Sequence, residues 1–153
     1  MIVVDANVVA HFFIEGGKTP LARSVREKDS CWIVPEIWRH ECLNILVTSC
    51  LFAKLPKESA LQIWKDAGDM LRGGIYEADM TEVLSSAVER STTAYDAEYV
   101  VLAKAKGVMF VTEDQPLQKA FPDIALSMKA FLAGEGRPTV AKEPSGSYRV
   151  RRK

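Results

Sequence analysis

Two short apolar runs, far apart in the chain, each end in an acid and give way to a helical pattern, and this restricts the folds open to the sequence. Ile2, Val3 and Val4 lead into Asp5 and Asn7, while Val108, Met109, Phe110 and Val111 lead into Thr112, Glu113 and Asp114. Continuous apolar runs of this length fit strands buried on both faces, as where helical crossovers join parallel strands. Parallel strands present their carboxyl ends on one edge, where open α/β sheets bind ligands. Asp5 and Asp114 are therefore expected on that edge.

Helix and strand signals alternate through the rest of the chain. The patterns predict a strand at 2–4, a helix over 8–14 and a loop at 15–18. Thr19 is the expected N-cap of a second helix, with Pro20 at its first position and an end near Lys28. A strand at 31–34 leads through Pro35 into a helix over 36–49. A helix over 57–71 follows, with Leu61, Trp64, Ala67 and Leu71 on one face and Gly73-Gly74 at its end. Asp79 and Glu82 are spaced as a capping box for a helix reaching Arg90. Another helix begins around Asp96 and ends at Gly107, and a short helix at 116–121 and a strand at 124–126 close the layout. The expected fold class is α/β, with a central, mainly parallel sheet and helices on both faces.

Two further acids lie in the helical patterns. Glu41 shares a face with Ile37, Trp38 and Ile45, so its carboxylate is expected to be partly buried. Asp96 has Val100 and Ala103 on its own face and falls in a first helical turn, where the helix dipole favours negative charge. Crowded, buried carboxylates repel one another and cost free energy unless something positive offsets them. No lysine or arginine adjoins Asp5, Asp96 or Asp114 in sequence, so a divalent cation is the economical partner. Oxygen-only ligands suit Mg²⁺ or Mn²⁺.

Val4-Asp5-Ala6-Asn7, Glu41 in a helix with Asn44 and Leu46, Tyr95-Asp96-Ala97-Glu98-Tyr99-Val100 and Val111-Thr112-Glu113-Asp114 together resemble the PIN-domain ribonucleases, and among them the VapC-type toxins of toxin-antitoxin pairs. The resemblance spans roughly residues 1–132. It implies a PIN-like three-layer fold and a metal-dependent endoribonuclease acting on RNA phosphodiesters. It also implies that Asp5, Glu41, Asp96 and Asp114 hold one or two Mg²⁺ or Mn²⁺ ions. Asn7 and Thr112 resemble the small polar residues that steady the first and last acids or contact a scissile phosphate. The partners implied are an RNA substrate, a small antitoxin and a second copy of the chain, in the cytoplasm.

Each position also has a purely structural reading. Asp5 suits an N-cap, Asp96 a dipole-stabilising place in a first turn, and Asp114, before Pro116, a loop or cap. Asn7 and Thr112 are ordinary turn residues. Two rival functions remain open. A haloacid-dehalogenase-like phosphatase also places an aspartate at its first strand end, but it wants a second acid two residues on, where this chain has Asn7. The other rival is a non-catalytic RNA or protein interaction module on the same fold.

A length of 153 residues suits one nuclease-like domain over 1–133 followed by a tail over 134–153. The tail carries six basic residues against two acidic ones, leaving the remainder of a formally neutral chain with a net charge of minus four. An extended segment is expected there, either solvated or serving as an electrostatic arm for RNA or an acidic partner. No apolar stretch is long enough for a membrane helix, and the first residues lack a signal-peptide layout. Cys31, Cys42 and Cys50 form no CxxC and are expected as reduced core thiols. His11 and His40 lack a metal-ligand spacing, and His40 is expected to point away from Glu41 as a surface or RNA-facing residue. Phe12, Phe13, Trp38, Phe52 and Trp64 are either core or a protein interface.

Overall fold

A computed structural model describes residues 1–136, so most of the expected basic tail, 137–153, lies outside the described residues. Five strands, β1 (Ile2–Val4), β2 (Trp32–Pro35), β3 (Ile75–Tyr76), β4 (Phe110–Val111) and β5 (Ala125–Leu126), form one sheet in the order β3-β2-β1-β4-β5. Every pairing is parallel. Eight helices connect and cover them: α1 (Ala6–Phe13), α2 (Thr19–Lys28), α3 (Trp38–Phe52), α4 (Lys57–Met70), α5 (Met80–Arg90), α6 (Ala94–Lys106), α7 (Gln115–Ala120) and α8 (Met128–Leu132). This is the expected three-layer α/β arrangement.

Local chemistry sets the helix ends. The side chains of Asp5, Asp79, Thr93, Asp114 and Ser127 each accept a backbone N–H of the helix that follows. Gly107 ends α6 at φ 64°, a left-handed geometry that glycine adopts without a Cβ penalty. The central strands are buried on both faces, with Val3, Val4, Val34, Phe110 and Val111 at 0% exposure. Removing each such side chain from water stabilises the fold by about 1.5–3 kcal/mol before entropy is counted. Helix α6 packs across β1, β2 and β4, which fixes the position of its first turn over the middle of the sheet. A smaller cluster of Ala78, Val83, Ala87, Ala97 and Val101 seals α5 against α6.

Several expectations need correction. Thr19 is not the N-cap of α2, which is Lys18; Thr19 is buried and closes the preceding loop, donating to the Ile14 carbonyl and accepting from the Gly16 N–H. Helix α3 starts two residues later than expected, because Glu36 and Ile37 form a turn after Pro35, and it runs on to Phe52. Strand β3 and helix α8 had no expectation at all, being two and five residues long. Leu61 stands outward at 59% exposure, while Ala67 and Leu71 on α4 and its cap are buried. Cys31 is exposed, so only Cys42 is a fully buried thiol; all three cysteines are free.

Candidate active site

Strands β1 and β4 are neighbours, with Val4 opposite Val111, so the segments leaving their carboxyl ends run side by side. The Asp5 N–H donates to the Val111 carbonyl at 3.0 Å, extending the pairing by one residue. Asp5 is 8% exposed and both its oxygens are engaged: the Asn7 N–H reaches Oδ1 at 3.1 Å and the Thr112 hydroxyl reaches Oδ2 at 2.7 Å. Thr112, fully buried, also accepts the Asp114 N–H at 3.1 Å, so one hydroxyl fixes both strand-end acids. Asp114 is exposed, and its Oδ1 caps α7 by accepting the Leu117 N–H at 2.8 Å. The Asn7 side chain is exposed, and the residue's hold on Asp5 comes from its backbone.

The helical acids approach from two further elements. Asp96, half-buried in the first turn of α6, accepts the Thr93 hydroxyl at 2.7 Å. Glu41, in the first turn of α3, accepts the Tyr99 hydroxyl at Oε2. Tyr99 lies one turn along α6 from Asp96, is 1% exposed, and stacks on Phe110 of β4 with ring centroids 5.4 Å apart. It thereby links α3, α6 and the sheet.

Electrostatics bind the four acids into one neighbourhood. Burial pushes the Asp5 carboxyl above its ordinary value, against the lowering effect of Thr112 and Asn7, and the charges of Asp96 and Asp114 push it further. Burial likewise raises Glu41 to about 7, with Tyr99 opposing and Asp5, Asp96 and Glu98 reinforcing the shift. Burial, then the Glu41 and Asp5 charges, hold the Tyr99 phenol well above its usual range. Among the described residues the ion pairs are the N-terminus with Asp29, Lys18 with Glu113, Arg23 with Glu15, Arg39 with Glu36 and Arg72 with Asp69, and none engages any of the four acids. Buried beside other acids and without a basic partner among the described residues, Asp5 and Glu41 have their charged forms destabilised, which is the electrostatic demand a cation satisfies.

The side chains do not form a ready-made cage. Among the described residues no three His, Cys, Asp or Glu side chains are gathered tightly enough to enclose a metal ion. The local hydrogen bonds explain this, since each acid is held by its own cap, threonine or tyrosine. The donor set fits a hard, oxygen-seeking ion that keeps several waters and takes only one or two direct carboxylates, as Mg²⁺ commonly does.

Two residues, Tyr99 and Glu98, escaped the sequence reading, and His40, exposed as expected, differs from it in one respect. Tyr99 follows Asp96 by three positions, the spacing of one helix face, and that was the available signal. Glu98 is half-buried and pushed upward by burial and by Glu36. His40 does not turn away from Glu41: both line one hollow with Ile37, Asn44 and Tyr95. Glu113, next to Asp114, is committed elsewhere, accepting from Lys18 and from the Met128 N–H.

No protein-family profile matches the sequence, and comparison with curated proteins gives no match. Solved structures do resemble it. PAE2754 from Pyrobaculum aerophilum superposes with a TM-score of 0.69 over 87% of each chain at 21% identity. FitAcB from Neisseria gonorrhoeae superposes with a TM-score of 0.62, covering 84% of this chain and 99% of that one at 15% identity. At these identities the likeness is one of fold, and it agrees with the PIN-like α/β arrangement that the sequence motifs imply.

Proposed function

We propose that this chain is a Mg²⁺- or Mn²⁺-dependent endoribonuclease of the PIN type that hydrolyses RNA phosphodiesters, and that it serves as the toxin of a type II toxin-antitoxin pair. The observation that carries the reading is that Glu41, Asp96 and Asp114 each lie close enough to Asp5 for the charges to interact, and that among the described residues no ion pair engages any of the four. The fold likeness and the four motifs in their order support it.

A bound divalent ion would mask phosphodiester charge and lower the pKa of a water. Asp5 and Asp96 are the residues proposed to hold it, with Asp114 reaching it through water. Thr112 keeps Asp5 in place, and the exposed Asn7 side chain, two residues on, is free to meet a phosphate oxygen. Glu41 has one oxygen on Tyr99 and the other without a hydrogen-bond partner among the described residues, and its pKa of about 7 suits a group that takes a proton from water near neutrality. Tyr99 orients it.

Two exposed apolar surfaces support the protein partners. Leu43, Val47, Leu51 and Leu61 flank a groove of about 340 Å³ between α3 and α4, and all four are exposed. We assign that groove to an antitoxin segment. Met80, Leu84 and Val88 make a stripe along α5 at four-residue intervals, all more than half exposed, which we assign to a second copy. Of the aromatic residues considered for an interface, Trp38 is core, Phe12, Phe13 and Trp64 are half-buried, and Phe52 stands out in solvent.

The test is RNA cleavage by the purified protein with and without Mg²⁺ or Mn²⁺, beside Asp5→Asn and Asp96→Asn. Cleavage should vanish in EDTA and in both variants while thermal unfolding stays cooperative. Cleavage that survives in all three would sink the nuclease reading. A trapped phosphoaspartyl enzyme would favour the phosphatase instead.

A further inference from the structure

Beside the acids lies a hollow of about 390 Å³ lined by Ile37, His40, Glu41, Asn44 and Tyr95. Its volume falls within the about 300–1,000 Å³ typical of small-ligand sites. Ile37, the N-cap of α3, and His40, Glu41 and Asn44 within it recur at the i, i+3, i+4, i+7 spacing of one helix face, so they form one continuous wall. Tyr95 forms the opposite wall from the first turn of α6, immediately before Asp96.

Tyr95 is a large ring at 61% exposure. Among the described residues its side chain has no ring contact and no hydrogen bond, and the side chains of His40 and Asn44 have no hydrogen bond either. An aromatic face and two polar groups thus converge on one space without serving the fold. The lining holds no lysine or arginine and one carboxylate, which disfavours a phosphate there and favours a flat, uncharged ligand that donates hydrogen bonds.

We propose that this hollow is a nucleobase subsite, in which an unpaired base next to the scissile phosphate stacks on Tyr95 and presents its edge to Asn44 and His40. The inference rests on the nuclease reading, and it adds the substrate feature that site would recognise. Single-stranded RNA is read by this combination, an aromatic face for the base plane and side-chain amides for its edge. Glu41 belongs to both the hollow and the acid cluster, so a base seated here places its own phosphate beside the reacting groups. The Asn44 amide carries an acceptor and a donor side by side, the pair that meets adenine bidentately at N6 and N7, so adenine is favoured over uracil.

Cleavage kinetics of the intact protein on poly(A), poly(C) and poly(U) with Mg²⁺ test this in wild type, Tyr95→Ala, Tyr95→Phe and Asn44→Ala. Loss of stacking in Tyr95→Ala should raise KM about tenfold, from the about 1–3 kcal/mol a stacked base contributes, with kcat changed less than twofold. Tyr95→Phe should restore the wild-type KM. Asn44→Ala should bring the kcat/KM value for poly(A) down toward that for poly(U). Wild-type cleavage with an unchanged KM in Tyr95→Ala, or an unchanged preference in Asn44→Ala, overturns the subsite and leaves the nuclease reading standing. Wild type that cleaves none of the three polymers overturns both.

Discussion

The Thr112 hydroxyl donates to Asp5 Oδ2 across 2.7 Å, joining residues 107 positions apart at the carboxyl ends of two neighbouring strands. The bond favours the ionised form of Asp5 where burial and two nearby acids oppose it. Thr112→Val keeps the shape and removes the hydroxyl. It should cost about 1–3 kcal/mol at pH 8, where the buried carboxylate most needs the donor, and less at pH 5. Chemical denaturation at the two pH values checks this, and an equal loss at both would show that the bond does not serve the charged state.

Asp5 and Glu41 both have folded pKa values above their ordinary ones, so the folded protein holds protons that the unfolded chain releases. Their contribution to stability is fully present below the unfolded values and is lost as pH rises through the folded values, for Glu41 between 4.5 and about 7. Glu113 has the opposite sign: although burial alone would raise its pKa, the Met128 N–H and Lys18 bring it below the ordinary value. The difference between wild type and Glu41→Gln isolates the Glu41 part. The variant should gain most over wild type at pH 8 and least at pH 4 in metal-free buffer. Mg²⁺ should raise the wild-type Tm more at pH 8 than at pH 5, because only ionised carboxylates compete well for it. A larger Mg²⁺ effect at pH 5 would contradict the site.

The strand-end acids were legible because a buried parallel strand is a continuous apolar run, and whatever follows it must emerge at the ligand edge. Asp5 and Asp114 needed no more than that. Glu41 was legible as an acid among apolar helix neighbours. Its partner was not, since Tyr99 lies 58 residues away and only the packing of α6 across the sheet brings the two together. Strand β3 was hidden for a different reason: two residues cannot display a period, and Gly73-Gly74 read only as a helix stop. The surface position of His40 was legible, but not its place beside Glu41, since adjacent helix positions diverge and only the wide mouth of the hollow admits both.

Gly74 has a second role there. A Cβ on it would lie 2.6 Å from the Trp32 carbonyl oxygen, a rigid backbone atom, while its own carbonyl accepts the Val34 N–H at 2.9 Å. Gly74→Ala should therefore push β3 away from β2 and destabilise the protein by about 1–3 kcal/mol, the usual range for forced overpacking. The midpoint of urea unfolding reads this directly. A change under a few tenths of a kcal/mol would mean the edge strand moves freely.

The α5 stripe makes a separate commitment. Leu84, 66% exposed, sits between Met80 and Val88, and Leu84→Glu places a charge at the centre of the assigned copy-to-copy contact. Sedimentation should show wild type as a dimer and the variant shifted at least tenfold toward monomer, with the monomer still folding cooperatively because about two thirds of the side chain is exposed. Leu61→Ser, on the groove assigned to the antitoxin, should leave the mass unchanged. A monomeric wild type would remove the assignment.

Tyr99→Phe probes the proton-accepting role of Glu41 without disturbing the core, since the ring can keep its stacking on Phe110. The hydroxyl is the main influence holding the Glu41 pKa down against burial, so its loss should raise that pKa above about 7. The acid limb of the kcat profile should then move to higher pH, and kcat at pH 7 should fall by roughly tenfold, less than the about 10²–10⁴-fold that a positioned acid or base contributes in full. KM should stay near the wild-type value, because Tyr99 is buried and meets no substrate. A fall in kcat that is the same at every pH would place Tyr99 in positioning alone, and an unchanged profile would remove Glu41 from the proton-accepting role.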